Sequence, residues 1–175
     1  AKTLKTDIKP NGIALERTGN FLIADLSDEG GVYRLLKNGG LEAILLEADG
    51  ISLPATNFVL IDDQDRVWVT VSTRLKPRSL GYRGDNADGF IVLIDQIGSR
   101  IVADNLGYTN EVRLSPDGEW LYVVETFGRK LSRFKLGKNG SLKNKETVAE
   151  FGHGVFPDGM AFDCEGGVWI TSIIS

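Results

Sequence analysis

Cysteine, histidine and methionine are nearly absent from this chain: Cys164, His153 and Met160 each stand alone among 175 residues. One cysteine excludes an intrachain disulfide and reports no oxidising compartment. Cys164 is expected to be a small buried residue on a strand, because His153 sits in a glycine-flanked loop and offers it no Cys–His couple. No apolar run approaches the ~20 residues that a membrane-spanning helix needs, and helix-period patterns are scarce. Surplus charge is missing too. Twenty Lys and Arg face 24 Asp and Glu, a net charge of −4. That gives the whole molecule no draw toward nucleic acid or an anionic membrane surface. The start, Ala1-Lys2-Thr3, shows neither an initiator Met nor a signal-peptide core, so it reads as processed or trimmed. Localisation stays open, tilting toward the cytoplasm.

What the chain does have is one phrase written four times: Asn11-Gly-Ile-Ala-Leu, Asn57-Phe-Val-Leu-Ile, Asn110-Glu-Val-Arg-Leu and Asp158-Gly-Met-Ala-Phe. Each copy leads through a polar turn into a second apolar run, and the starts lie 46, 53 and 48 residues apart. Most runs alternate with period two and are rich in β-branched and aromatic residues. A period near 50 with all-strand content predicts a β-propeller of four-stranded antiparallel blades. The third copy divides into strands at 110–115, 119–126, 129–137 and 144–150, with Lys138-Asn139-Gly140-Ser141 as a hairpin turn. The second divides near 57–62, 66–72, 89–95 and 99–104, with a polar excursion over 73–88. A loop that long inside a compact repeat is either functional or a tolerated surface insertion.

Side-chain alternation puts Val59 and Ile61 on one face of their strand and Phe58 and Leu60 on the other. Both faces being apolar predicts burial on both sides, between neighbouring blades. Trp68 and Trp169 share one register in their copies, and Tyr122 matches them if one inserted residue is allowed. Repetition at one register points to blade-to-blade packing. The whole chain, residues 1–175, therefore reads as a single partial propeller with repeats starting near 11, 57, 110 and 158, about three and a half blades of an expected six. Six blades at this period would need about 280 to 300 residues, so the sequence reads as cut. Unclosed blade edges would invite self-association.

In a propeller, equivalent positions of the innermost strands form a ring at one end of the central channel. Asn11, Asn57, Asn110 and Asp158 are such a set. Amide oxygens and a carboxylate without His or Cys suit a hard divalent cation, calcium first and magnesium next, and disfavour zinc. The alternative is that Asn and Asp simply make good turn residues at strand starts.

Pro10-Asn11-Gly12, Thr56-Asn57, Tyr108-Thr109-Asn110 and above all Phe156-Pro157-Asp158-Gly159-Met160 followed by Gly166-Gly167-Val168-Trp169-Ile170 resemble the family of senescence marker protein, gluconolactonase and luciferin-regenerating enzyme, the regucalcin-like six-bladed propellers. The resemblance runs over nearly the whole chain. It implies one divalent metal held by a Glu from the first blade, two Asn and an Asp. The Asn would be Asn57 and Asn110 and the Asp Asp158, with Asn11 lining the channel and contacting substrate or water. The Glu has no counterpart in this chain, so the ring keeps one carboxylate and is expected to hold a divalent cation weakly or not at all.

The implied activity is metal-dependent hydrolysis of a sugar lactone or related ester, a gluconolactonase-like calcium-dependent reaction with a small-molecule substrate. Asp158 would be ligand and also base or nucleophile. Arg83, Asp85 and Asp88 in the long loop are candidates to cap the channel and contact substrate; a merely solvated loop is the alternative. Glu125 and Arg129 bracket a turn that needs polar residues anyway, and stay outside the catalytic set. Two other functions compete: a non-enzymatic propeller scaffold, and phosphotriesterase or strictosidine synthase-like chemistry.

Overall fold

The computed structural model describes residues 7–173. Among them regular structure consists of strands and one short 3-10 turn, with no α-helix. Strands β1 (Pro10–Leu15), β2 (Phe21–Asp25), β3 (Val32–Leu35) and β4 (Leu41–Leu45) form the first sheet in sequential order. A two-residue hairpin, β5 (Glu47–Ala48) and β6 (Ile51–Ser52), leads to the second sheet, β7 (Thr56–Ile61), β8 (Val67–Val71), β9 (Gly89–Asp95) and β10 (Gly98–Leu106). The third sheet is β11 (Thr109–Leu114), β12 (Trp120–Glu125), β13 (Lys130–Leu136) and β14 (Leu142–Glu150), and β15 (Pro157–Phe162) pairs with β16 (Val168–Ser172). Every neighbouring pair is antiparallel. The repeated phrase thus opens each sheet, and the strands fall within two residues of the positions read from the alternation.

The inner strands pack side by side, β1 on β7, β7 on β11 and β11 on β15, so the sheets fan about one line as propeller blades do. Among the described residues the array is open and does not close into a ring. Gly12 lets the first two inner strands approach: a Cβ there would lie 2.6 Å from the backbone Cα of Phe58.

Hydrophobic packing occupies the gaps between sheets. Val59 joins the cluster shared with the first sheet, which holds Leu22, Val32 and Phe90, and Ile61 packs against it. Phe58 and Leu60 pack on the opposite side, against the cluster of Trp68, Leu93, Val112 and Leu121. The two-faced burial read from the alternation of β7 is therefore what the fold uses. A third cluster, around Tyr122, Val124 and Met160, joins the third sheet to β15 and β16. Trp68, Tyr122 and Trp169 do share one register: each pairs with the third residue after its copy's opening Asn or Asp, namely Leu60, Arg113 and Ala161.

One expectation is corrected. Cys164 is exposed at a turn, not buried on a strand. Strand β15 ends at Phe162, and the Asp163 carboxylate then accepts the backbone N–H groups of Glu165 and Gly167, which pins Cys164 at the apex of the turn.

Candidate functional site

Every inner strand begins with the same irregularity. Register slips between Pro10 and Ile13 in β1, Thr56 and Phe58 in β7, Thr109 and Val112 in β11, and Pro157 and Met160 in β15. A bulge bends a strand and re-aims the side chain it displaces. Here the displaced residues include Asn11, Asn57, Asn110 and Asp158, and all four line one cavity of about 460 Å³. The alternation that packs β7 and β11 between sheets is broken at the position that reaches the cavity.

Hydrogen bonds set the orientation of the amides. Asn57 donates through Nδ2 to Ser72 Oγ at 3.0 Å, and Ser72 donates in turn to the carbonyl of Thr109 at 2.9 Å. Its Oδ1 accepts from Asn11 Nδ2 at 3.0 Å, and Asn11 also donates to the Asn57 carbonyl at 2.8 Å. Asn110 repeats the pattern one sheet on: Nδ2 donates to Thr126 Oγ1 at 3.0 Å and to Asp158 Oδ1 at 2.5 Å. Asn110 Nδ2 is thus fully used, which leaves Oδ1 as its remaining polar atom. Ser72 and Thr126 each follow the second strand of their sheet directly, and Leu26 and Ile173 occupy that place in the flanking units. The hydroxyl anchors are thus confined to the two buried asparagines.

A second carboxylate lies in the same cavity. Glu111 is 8% exposed, pairs with Arg113, and accepts the backbone N–H of Met160 at 3.0 Å through Oε2. Burial pushes its carboxyl up, more than Arg113 and the Met160 N–H pull it down, and the charge of Asp158 adds to the rise. By holding Met160, Glu111 ties β11 to β15 two residues from Asp158. Arg113 in turn lies over the Phe58 ring at 5.1 Å.

The excursion after β8 supplies the wall. It is not irregular throughout: Arg78–Gly81 form a 3-10 turn, and Asp88 ties the loop's ends by accepting from Thr73 Oγ1 and the Arg74 N–H, both at 3.0 Å. Arg78 and Tyr82 line the cavity together with Tyr108 and Phe127. Tyr82 stacks on Phe127 at 4.8 Å, and Tyr108 meets both rings edge-on, at 5.3 and 4.9 Å. Burial pushes the Tyr108 hydroxyl up to about 12, with the Arg78 hydrogen bond opposing.

The structure therefore brings Asn11, Asn57, Asn110 and Asp158 together. It does not bring Arg83 and Asp85 to them: these pair with each other at 2.8 Å, mostly exposed, outside the residues that line the cavity. Asp88 serves the loop itself. Glu125 is buried and accepts from the Gly107 N–H, Ser132 Oγ and Lys145 Nζ, a role in the sheet rather than the site. Glu111 was missed, although a signal was present: its copy alone carries charges, Glu111 and Arg113, inside an apolar inner strand. Arg78 and Tyr82 carried no such signal among their polar neighbours.

Among the described residues no group of three or more His, Cys, Asp or Glu is placed to hold a metal ion. A cation here would rest on amide oxygens and a carboxylate, and Asn57, Asn110 and Asp158 fit a hard cation in kind.

The family model described as the SMP-30/Gluconolactonase/LRE-like region matches residues 2–175. The chain is 30% identical over 159 residues to the 6-deoxy-6-sulfogluconolactonase of Pseudomonas putida, covering 89% of this chain and 51% of that one. It is 25% identical to the strictosidine synthase-like 4 protein of Arabidopsis thaliana, covering 97% and 46%. Among solved structures it resembles regucalcin from Agrobacterium tumefaciens, described as a calcium-binding protein, with a TM-score of 0.72 at 23% identity over 94% of this chain and 53% of that one. The chain spans about half the length of the curated relatives it matches.

Proposed function

Because the chain belongs to the SMP-30/gluconolactonase/LRE-like family, we propose that its bulged inner-strand residues serve the metal-dependent hydrolysis of a lactone or related ester. The observation that carries this reading is the convergence of Asn57, Asn110 and Asp158 on one cavity, with both amide nitrogens tied back to hydroxyls. A packing scaffold has no need of that arrangement. The names of the Pseudomonas and Agrobacterium proteins, one a sulfogluconolactonase and one calcium-binding, support the reaction and the cofactor respectively.

Asn57, Asn110 and Asp158 would hold the cation, calcium first and magnesium next. A bound divalent cation would polarise the lactone carbonyl and offset the charge of the tetrahedral oxyanion. The chain's own part is positional and protolytic. Asp158, steadied by the amide of Asn110, takes the proton of the attacking water. The bond from the carbonyl carbon to the ring oxygen then breaks, Asp158 returns the proton to that oxygen, and the product is the open hydroxy acid. Asn11 stands at the edge of the cavity with both amide protons given to Asn57, so its Oδ1 is the atom that can accept from substrate or water.

The test is Asp158→Ala in the protein as its natural gene encodes it. Lactone turnover should fall by about 100-fold or more, with the far-ultraviolet circular dichroism unchanged. Full turnover in that variant would remove Asp158 from the reaction. It would favour a second reading that the Arabidopsis resemblance supports, strictosidine synthase-like chemistry that draws on another acid.

A further inference from the structure

We propose that the cavity takes a cyclic polyol or lactone bearing an anionic group (sulfonate, phosphate or carboxylate) remote from Asp158, and that Arg78 binds that group. The word lactone rests on the function proposed above; the binding of an anion does not.

Charge pairing singles out one arginine. Eight of the ten arginines, among them the buried Arg66, stand within 4.0 Å of a carboxylate, and Arg129 pairs with the His153 ring. Arg78 alone has neither partner among the described residues, and Arg78 is the one in the cavity wall. It is nevertheless held in place. Its backbone N–H donates to Asp28 Oδ1 at 3.0 Å, its Nη1 donates to the Tyr108 hydroxyl at 3.1 Å, and its guanidinium lies 5.7 Å from the Tyr82 ring centroid. A positioned, half-buried guanidinium without a counter-ion presents its remaining N–H donors to whatever enters, and their fork matches an oxyanion.

The surroundings argue for an anion over the other ligand classes. Tyr82, Tyr108 and Phe127 could suggest a cage for a cation. Tyr82 already carries the Arg78 guanidinium, however, and stacks on Phe127, so a second cation would meet Arg78 at close range. The rings instead offer an apolar flank to a sugar ring. Tyr108 accepts from Arg78 and keeps its own proton, so its O–H can donate to the same anion. Elsewhere in the same lining Asp158 repels negative charge, and Glu111 is matched by Arg113. Charge therefore orients one ligand: the anion at Arg78, the reacting carbonyl at Asp158.

The test compares ligands that differ only in the remote group, on the protein as its natural gene encodes it. Calorimetric binding of 1,5-anhydroglucitol 6-phosphate is set against that of 1,5-anhydroglucitol, which carries no scissile bond. In parallel, kcat/KM is measured for glucono-1,5-lactone and for its 6-sulfonate and 6-carboxylate analogues. The anionic member should be favoured about tenfold or more. In Arg78→Met that ratio should fall to near one, and Arg78→Lys, which keeps the charge and loses the fork, should retain part of it. Equal binding of the neutral and phosphorylated anhydro sugars overturns the proposal, as does a ratio that Arg78→Met leaves intact. If no lactone turns over yet the phosphorylated sugar binds in an Arg78-dependent way, the lactonase reading fails and this inference stands.

Discussion

Trp68 and Trp169 sit in the same local structure and opposite surroundings. Asp62 accepts the N–H groups of Gln64 (2.9 Å) and Arg66 (3.0 Å) through Oδ1 and the Trp68 indole through Oδ2 at 2.9 Å. Asp163 accepts the N–H groups of Glu165 (3.0 Å) and Gly167 (2.7 Å) through Oδ1 and the Trp169 indole through Oδ2 at 2.8 Å. The turns match atom for atom, yet Trp68 is 0% exposed and Trp169 is 69% exposed. The third sheet packs over Trp68, and no described element packs over Trp169. Seven residues of sequence thus suffice to build the turn and aim the indole. Burial is a separate property, conferred by the neighbouring sheet. Among the local differences, Arg66 adds a buried ion pair to Asp62 at 2.7 Å, where the other turn has Gly167.

The largest break in this comparison comes from deleting the indoles. Trp68→Ala should cost about 4 kcal/mol, because it empties a filled interior site between two sheets. Trp169→Ala should stay within about 0.5 kcal/mol, as surface substitutions do. Urea unfolding of the two variants measures both, and similar midpoints would mean that the outer tryptophan is covered in solution. A smaller contrast follows from the acids. Asp62→Asn keeps the turn's acceptor but leaves the Arg66 guanidinium buried without its charge partner, a loss of about 1.5–3 kcal/mol for a hydrogen bond to a charged group. Asp163→Asn removes no buried partner and should shift the same unfolding curve much less. Equal shifts would show that the turn, and not the buried pair, sets the cost.

The same division explains what could be read from residues alone. The four opening phrases, the turns and the two apolar faces of β7 are properties of a few consecutive residues, so strand positions and the gathering of Asn11, Asn57, Asn110 and Asp158 were legible. The bulges that turn those side chains toward the cavity were not, because a register slip depends on the partner strand. Arg78 and Tyr82 were hidden for a related reason. Their place in the wall is set by Asp28 and Tyr108, fifty and thirty residues away, whereas Arg83 and Asp85 drew attention through charge alone and pair with each other in solvent. Cys164 was misplaced because its neighbourhood read as a strand, while the Asp163 carboxylate had already claimed it for a turn.

The finest contrast is protolytic. The Asp163 carboxyl is held below the usual carboxylate range, first by the Trp169 indole and then by the Gly167 N–H, against a small opposing effect of burial. A carboxylate whose pKa is lowered on folding adds stability above its unfolded value, and that contribution fades as the pH falls through the folded one. The window therefore lies below an ordinary aspartate value of 3.8. The indole N–H of Trp169 reports it directly, since protonation weakens the acceptor that it faces. Its proton resonance should shift with a midpoint below 3.8, and Asp163→Asn should abolish the shift. A midpoint at or above that value would show that the turn does not favour the charged form. The difference in burial can be read in the same spectra: the Trp169 indole hydrogen should exchange quickly with water and the Trp68 hydrogen slowly, because only the latter has a sheet above it.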